Sequence, residues 1–166
     1  MKKIKKIFIS ILIIGFVSNI QSQNNFSNRK IDNLKNQVEQ LVEEDKKMTQ
    51  VMIDKVFSFG ELGFQEFETS KYMGAILEEN GFDVEYKISD IPTSWLATWS
   101  NGEGGPVIAL GSDFDGVPST SQYPGVAYEK PVVEGAPGHG EGHNIGLPIV
   151  LTSALSLKKI MIENNI

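Results

Sequence analysis

From Ile31 the apolar residues Ile31, Leu34, Val38, Leu41 and Val42 recur at three- and four-residue steps, and Met48, Val51, Met52, Val56 and Phe57 continue them. That is the period of a helix with one buried face. The charged "EEDKK" between the two sets lies on the solvated face or marks a bend between two helices. A further helix is predicted after the glycine-flanked "FGELGFQEFETS": Thr69 or Ser70 can cap it, Tyr72, Met73, Ile76 and Leu77 form one face, and Asn80-Gly81 stops it. Phe82, Val84, Tyr86 and Ile88 then alternate with polar residues, the period of a half-buried strand, and "SWLATWS" between Pro92 and Asn101-Gly102 is a second strand candidate.

The pattern changes at "GGPVIALGSDFDG". Val107 to Leu110 is a short continuous apolar run, as expected of a central strand in a sheet covered on both faces, and it runs directly into Asp113 and Asp115. Acidic residues at the carboxyl end of such a strand stand where open α/β sheets place their ligands, so Asp115 is expected to approach whatever site the sheet carries. A stretch with many glycines and prolines, Gly116 to Gly142, has little periodicity and reads as a long functional or mobile loop. The remainder, "IGLPIVLTSALSLKKIMIENNI", is helical, with Ile149, Thr152, Ser153, Leu155, Leu157 and Ile160 expected to pack against a sheet.

The N-terminus stands apart from this core. Met1 to Lys6 is basic, Ile7 to Val17 is apolar, and "SNIQSQNN" is polar, the build of a cleavable export signal over residues 1–23. An apolar run of that length spans about 17 Å as a helix, well short of a hydrocarbon core of about 30 Å, so no stable membrane span is expected after cleavage. The folded part is then residues 24–166, in the periplasm or outside the cell. Residues 1–23 carry four lysines and no acid, so removing them leaves 11 basic against 21 acidic side chains. Such a balance argues against nucleic acid as a partner. The chain contains no cysteine, so any metal must be held by nitrogen and oxygen ligands.

Those ligands have one obvious source. The chain's two histidines both fall in "EGAPGHGEGHN", as His139-Gly140-Glu141-Gly142-His143, on a loop that opens the last helix. Imidazole and carboxylate suit zinc and manganese, and the glycines let the backbone turn the side chains inward. The other reading is a solvated loop whose histidines cap the following helix. Asp113 and Asp115 have a similar double reading, as site carboxylates or as caps of the turn at Gly116-Val117-Pro118. Taken together, the segments place two histidines and three carboxylates at the ends of consecutive elements.

In order and spacing, "FGELGFQEFETSKYMGAILEENGFDVE", "IPTSWLATW", "GGPVIALGSDFDGVP" and "GHGEGHN" resemble the N-terminal part of the aminoacylase-type zinc metallopeptidases, over roughly Met48 to Ile166. Within that family they look most like the aminobenzoyl-glutamate and indole-acetyl-amino-acid hydrolases. The resemblance implies the N-terminal portion of a three-layer α/β/α catalytic domain with a mixed, largely parallel sheet. It implies a two-metal centre of Zn2+ or Mn2+, with Glu141 and His143 as ligands, His139 as a further one at most, and Asp115, beside Asp113, orienting a ligand from behind. Where the family has a cysteine this chain has Glu141, a harder donor that admits manganese more readily. The family's water-activating glutamate, further ligands and lid or dimerisation domain come later than Ile166. The expectation is therefore an incomplete, inactive portion of a homodimeric metal-dependent amidohydrolase that cleaves N-acyl or aminobenzoyl amino acids. A non-catalytic metal- or partner-binding domain is the alternative.

Overall fold

The computed structural model describes residues 27–166, so the export signal expected over residues 1–23 lies outside the described residues. The elements run α1 (Asn28–Phe59), α2 (Phe67–Glu79), β1 (Asp83–Tyr86), a short 3-10 turn at Ile88–Asp90, β2 (Trp95–Thr98) and α3 (His143–Asn164).

α1 is one unbroken helix of 32 residues, and the charged segment at its middle makes no bend. The residues there are good helix formers, and Lys46 pairs with Glu43 one turn away on the solvated side. The Ser27 hydroxyl accepts from the Lys30 amide at the start, and Gly60 in the left-handed region closes the end. α2 begins at Phe67, two residues before the expected cap. No side chain at its own N-cap serves it, and the Glu61 carboxylate reaches across instead, accepting from the amides of Glu68 and Thr69 and from the Thr69 hydroxyl at 2.8–2.9 Å. Lys158 of α3 closes the other end on the carbonyls of Asn80 and Gly81.

The core lies where α1, α2 and α3 meet, with Met52, Val56, Met73, Leu77, Leu147 and Leu151 buried together. α1 and α3 run antiparallel: Gln37 bonds Asn164 at one end, and Thr49 bonds Thr152 further along. The hairpin of β1 and β2 packs on α2, pairing Asp83 with Thr98 and Tyr86 with Trp95. Its inward residues Val84, Trp95 and Ala97 are packed against the core.

Mixed α/β is therefore the class, but two expectations are corrected. Among the described residues the sheet is two-stranded and antiparallel, without parallel strands. Val107 to Leu110 forms no strand: among the described residues no strand lies beside it, and Val107 is 98% exposed. An apolar run becomes a central strand only where neighbours hydrogen-bond both edges and layers cover both faces, and β1 and β2 pair with each other instead. α3 correspondingly packs on a helix rather than a sheet. Thr152 and Ile160 are buried there, whereas Ile149, Ser153 and Leu157 of the expected contact face point outward. By length and composition alone α3 could cross a membrane, but in this fold one side of it is the core's own wall.

This packing makes a direct contrast. Leu151→Ala should lower the unfolding free energy by about 2–5 kcal/mol, as for buried leucines generally, and Ile149→Ala by no more than about 0.5 kcal/mol. Urea denaturation followed by circular dichroism checks both; a larger loss at Ile149 would place the sheet-facing side of α3 where the sequence pattern put it.

Candidate metal centre

Three backbone segments are drawn together beyond the end of α1. The Gly116 amide donates to the Glu61 carbonyl at 2.6 Å, Val117 and Gly138 exchange backbone hydrogen bonds at 2.8 and 3.1 Å, and Leu62 pairs with Gly116 as an isolated bridge. The close approach requires glycine: a Cβ at Gly138 would stand 2.6 Å from the Thr120 carbonyl oxygen, and one at Gly116 would stand 2.9 Å from that of Gly138. The loop from 116 to 142 is thus pinned near both ends, and it delivers the two histidines to the start of α3.

Their surroundings differ. His139 is buried, with Nε2 3.1 Å from the Val56 carbonyl near the end of α1 and Nδ1 3.3 Å from Glu141 Oε1. Both its nitrogens thus face an acceptor, one of them the Val56 carbonyl, which also accepts from the Gly60 amide at 3.4 Å. His143, the first residue of α3, is half-open to solvent and ringed by acids. Its Nδ1 lies 3.0 Å from Asp115 Oδ1 and 3.2 Å from the Asp115 carbonyl, its Nε2 lies 3.5 Å from Asp113 Oδ1, and Glu141 Oε1 is 3.6 Å from Nδ1. Asp113 and Asp115 turn to His143, while Phe114 turns to the core and stacks on Trp95 at 6.4 Å.

The two acceptors at Nδ1 place the ring's proton there and leave the Nε2 lone pair on the side of Asp113, the tautomer a metal-binding imidazole needs. One ligand atom each from Asp113, Asp115 and His143 falls within a 4.8 Å cluster. Three carboxylates surround one imidazole, and the lysine ion pairs among the described residues, Lys46–Glu43 and Lys159–Glu44, lie elsewhere. The residues present therefore fit a divalent cation by donor type and by uncompensated charge.

Burial alone pushes the His143 imidazole down, but the charge of Asp113, the hydrogen bond to Asp115 and the charges of Glu141 and Asp115 outweigh it and raise the ring above its ordinary value. Burial alone pushes the Glu141 carboxyl up, but hydrogen bonds from its own amide, His139 and the His143 amide, with the His143 charge, hold it below the ordinary carboxylate value. Glu141 is accordingly ionised at neutral pH.

Asp115 does approach His143, though not from the end of the expected strand, and Asp113 and Glu141 join them. His139 sits behind, between Glu141 and α1. The sequence pattern did not point to Glu66 and Thr93, which share a cavity with Asp113 and Asp115. The one available signal was an acid inside "GFQEFE", ahead of a helix it does not cap.

No family model matches the chain. It is 31% identical over 122 residues to a protein of Escherichia coli (strain K12) named as a subunit of p-aminobenzoyl-glutamate hydrolase, covering 74% of this chain and 25% of that protein. The chain thus spans about a quarter of the relative's length. The likeness supports a related amidohydrolase family and does not single out a branch of it.

Two outcomes follow from the geometry. Gly138→Ala should cost about 1–3 kcal/mol by overpacking against backbone, while Gly111→Ala, where a Cβ meets nothing within 4 Å, should be silent in the same thermal melt. In the metal-free protein, NMR should show His143 titrating above the ordinary imidazole value, with Asp113→Asn moving it down. The sign follows from the raised folded-state value: the stabilisation by the charged ring is complete below the ordinary imidazole value and is lost as pH rises through the folded one. An unchanged titration in Asp113→Asn would show that the carboxylate does not govern the ring.

Proposed function

We propose that this chain supplies part of the metal centre of an amidohydrolase that cleaves the amide bond between an acyl or aryl-acyl group and an amino acid. The observation that carries the reading is the convergence of Asp113, Asp115 and His143, with Glu141 alongside, in a cluster of nitrogen and oxygen donors. The relative's name supplies the substrate class, with p-aminobenzoyl-glutamate the first compound to try.

In this reading His143 offers Nε2 and Asp113 a carboxylate oxygen to the ion, Asp115 fixes the imidazole through Nδ1, and Glu141 is a further ligand in its ionised form. A bound Zn2+ or Mn2+ supplies Lewis acidity, lowering the pKa of coordinated water and polarising the scissile carbonyl. In the whole enzyme two ions are proposed. His139 supports the loop from behind. None of these residues is assigned the role of taking the proton from the attacking water. The exposed run Val107 to Leu110 and the outward face of α3 at Ile145 and Ile149 supply the apolar surface that a three-layer α/β/α arrangement would cover. Export and a multi-chain assembly of the whole protein complete the proposal; the relative, named as one subunit, supports the latter.

Titration calorimetry with Zn2+ and Mn2+ should show saturable binding to the 166-residue chain, weakened at least tenfold by His143→Ala and by Asp113→Ala, and unaffected by Glu44→Ala on the far side of α1. A chain extended to the relative's length should hydrolyse p-aminobenzoyl-glutamate with a loss of about 10²-fold or more in His143→Ala, the scale of removing a key catalytic element. The 166-residue chain alone should be silent. Robust His143-dependent turnover by it would place the catalytic machinery elsewhere in the site, and metal binding by a silent extended chain would favour a non-catalytic metal-binding domain.

A further inference from the structure

A cavity of about 290 Å³ opens beside the acids, with Asp113 and Asp115 on one wall. Phe64, Ile91 and Phe114 give it apolar sides, and Glu66 and Thr93 lie within its lining. Glu66 is only 8% exposed, and its Oε2 accepts the Thr93 hydroxyl at 2.6 Å. Its other oxygen, Oε1, accepts no hydrogen bond from the described residues, although it is not sealed from the cavity. Solvent reaches that oxygen through the cavity, so a donor on a ligand can take the place of water there. Phe64 adds a second irregularity: it is 67% exposed and its φ is 64°, a region that bulky residues rarely occupy, so the chain holds an aromatic ring outward at the cavity against its own preference.

From these features we infer that the cavity is a subsite for an aromatic ring bearing a hydrogen-bond donor, received by Glu66, and that it takes the acyl half of the substrate. Size agrees: a cavity of about 150 Å³ accepts benzene, so this one holds a single substituted ring. Charge agrees too, because the Glu66 carboxylate has no cationic side chain against it among the described residues, which disfavours a second carboxylate here and leaves the amino-acid half to bind elsewhere. Gly63 lies between the two acids, its Cβ position 3.6 Å from Asp115 Oδ2 and 4.0 Å from Glu66 Oε1, so the subsite and the metal cluster share one edge. The assignment to the acyl half rests on the amidohydrolase reading; the selectivity for a donor-bearing ring does not.

The test uses the full chain without metal and two neutral probes whose amide nitrogen carries no hydrogen, p-amino-N,N-dimethylbenzamide and p-methyl-N,N-dimethylbenzamide, titrated by NMR. Both should shift the amides of Thr93, Ser94 and Phe114, and the amino probe should bind about tenfold more tightly, the usual worth of a hydrogen bond to a charged group. Glu66→Gln, which still accepts from Thr93, should reduce the preference to twofold or less, and Phe64→Ala, at an exposed position, should weaken both probes alike. Equal affinities in the wild type, a preference that survives Glu66→Gln, or shifts confined to the groove between α1 and α3 would each overturn the subsite. A preserved preference in an extended chain that hydrolyses nothing would sink the amidohydrolase reading alone. A lost preference beside intact His143-dependent hydrolysis would sink the subsite alone.

Discussion

The imidazole of His139 holds the arrangement together. One nitrogen meets the Val56 carbonyl near the end of α1, and the other meets Glu141 at the threshold of α3, with the His139 side chain buried and Glu141 open to solvent. Helix ends carry unsatisfied carbonyls and amides, and a buried end without partners is costly. The Val56 carbonyl already accepts from the Gly60 amide, and His139 adds a tie from the last turn of α1 to the loop that opens α3. Glu141, so positioned, accepts from the His143 amide and closes the first turn of α3, whose own N-cap is a glycine with no side chain to offer. The start of α3, and hence the direction of its first side chain, follows from that contact.

The same logic of helix ends recurs across the molecule. Glu61 closes the beginning of α2, Lys158 closes its end, and Glu141 serves α3, each arriving from a different element. Carboxylates gather where helix dipoles favour negative charge. At α3 this concentration exceeds what one imidazole can balance, and in the proposed function the surplus is what a cation would neutralise. Structure and charge are coupled here, because the acid that completes the helix also faces the His143 ring.

Much of this was legible in the sequence. Helical periodicity located α1, α2 and α3, alternation located β1 and β2, and the linked motifs grouped Asp113, Asp115, Glu141 and His143. Other features depended on partners far along the chain. Nothing local distinguishes His139 from His143, since their difference is the Val56 carbonyl, 83 residues away. The cap of α2 was misplaced because its carboxylate belongs to Glu61, outside the usual capping window. Val107 to Leu110 reads as a buried strand, but that reading requires neighbours on both edges, and the described residues provide none. Ile149 and Leu157 were drawn inward by their hydrophobicity, although α3 is apolar around much of its circumference and only its α1-facing side is filled.

The central claim is that the acids around His143 form a cation site rather than a solvated polar loop. Paramagnetic broadening by substoichiometric Mn2+ in the 166-residue protein tests it most directly, because it reports where the ion resides without requiring turnover. The amide signals of Asp113, Asp115, Glu141 and His143 should broaden first, with those of Glu43, Glu44 and Asp45 on α1 still sharp. Broadening centred on that α1 segment, or spread evenly over the acidic surface, would contradict the account.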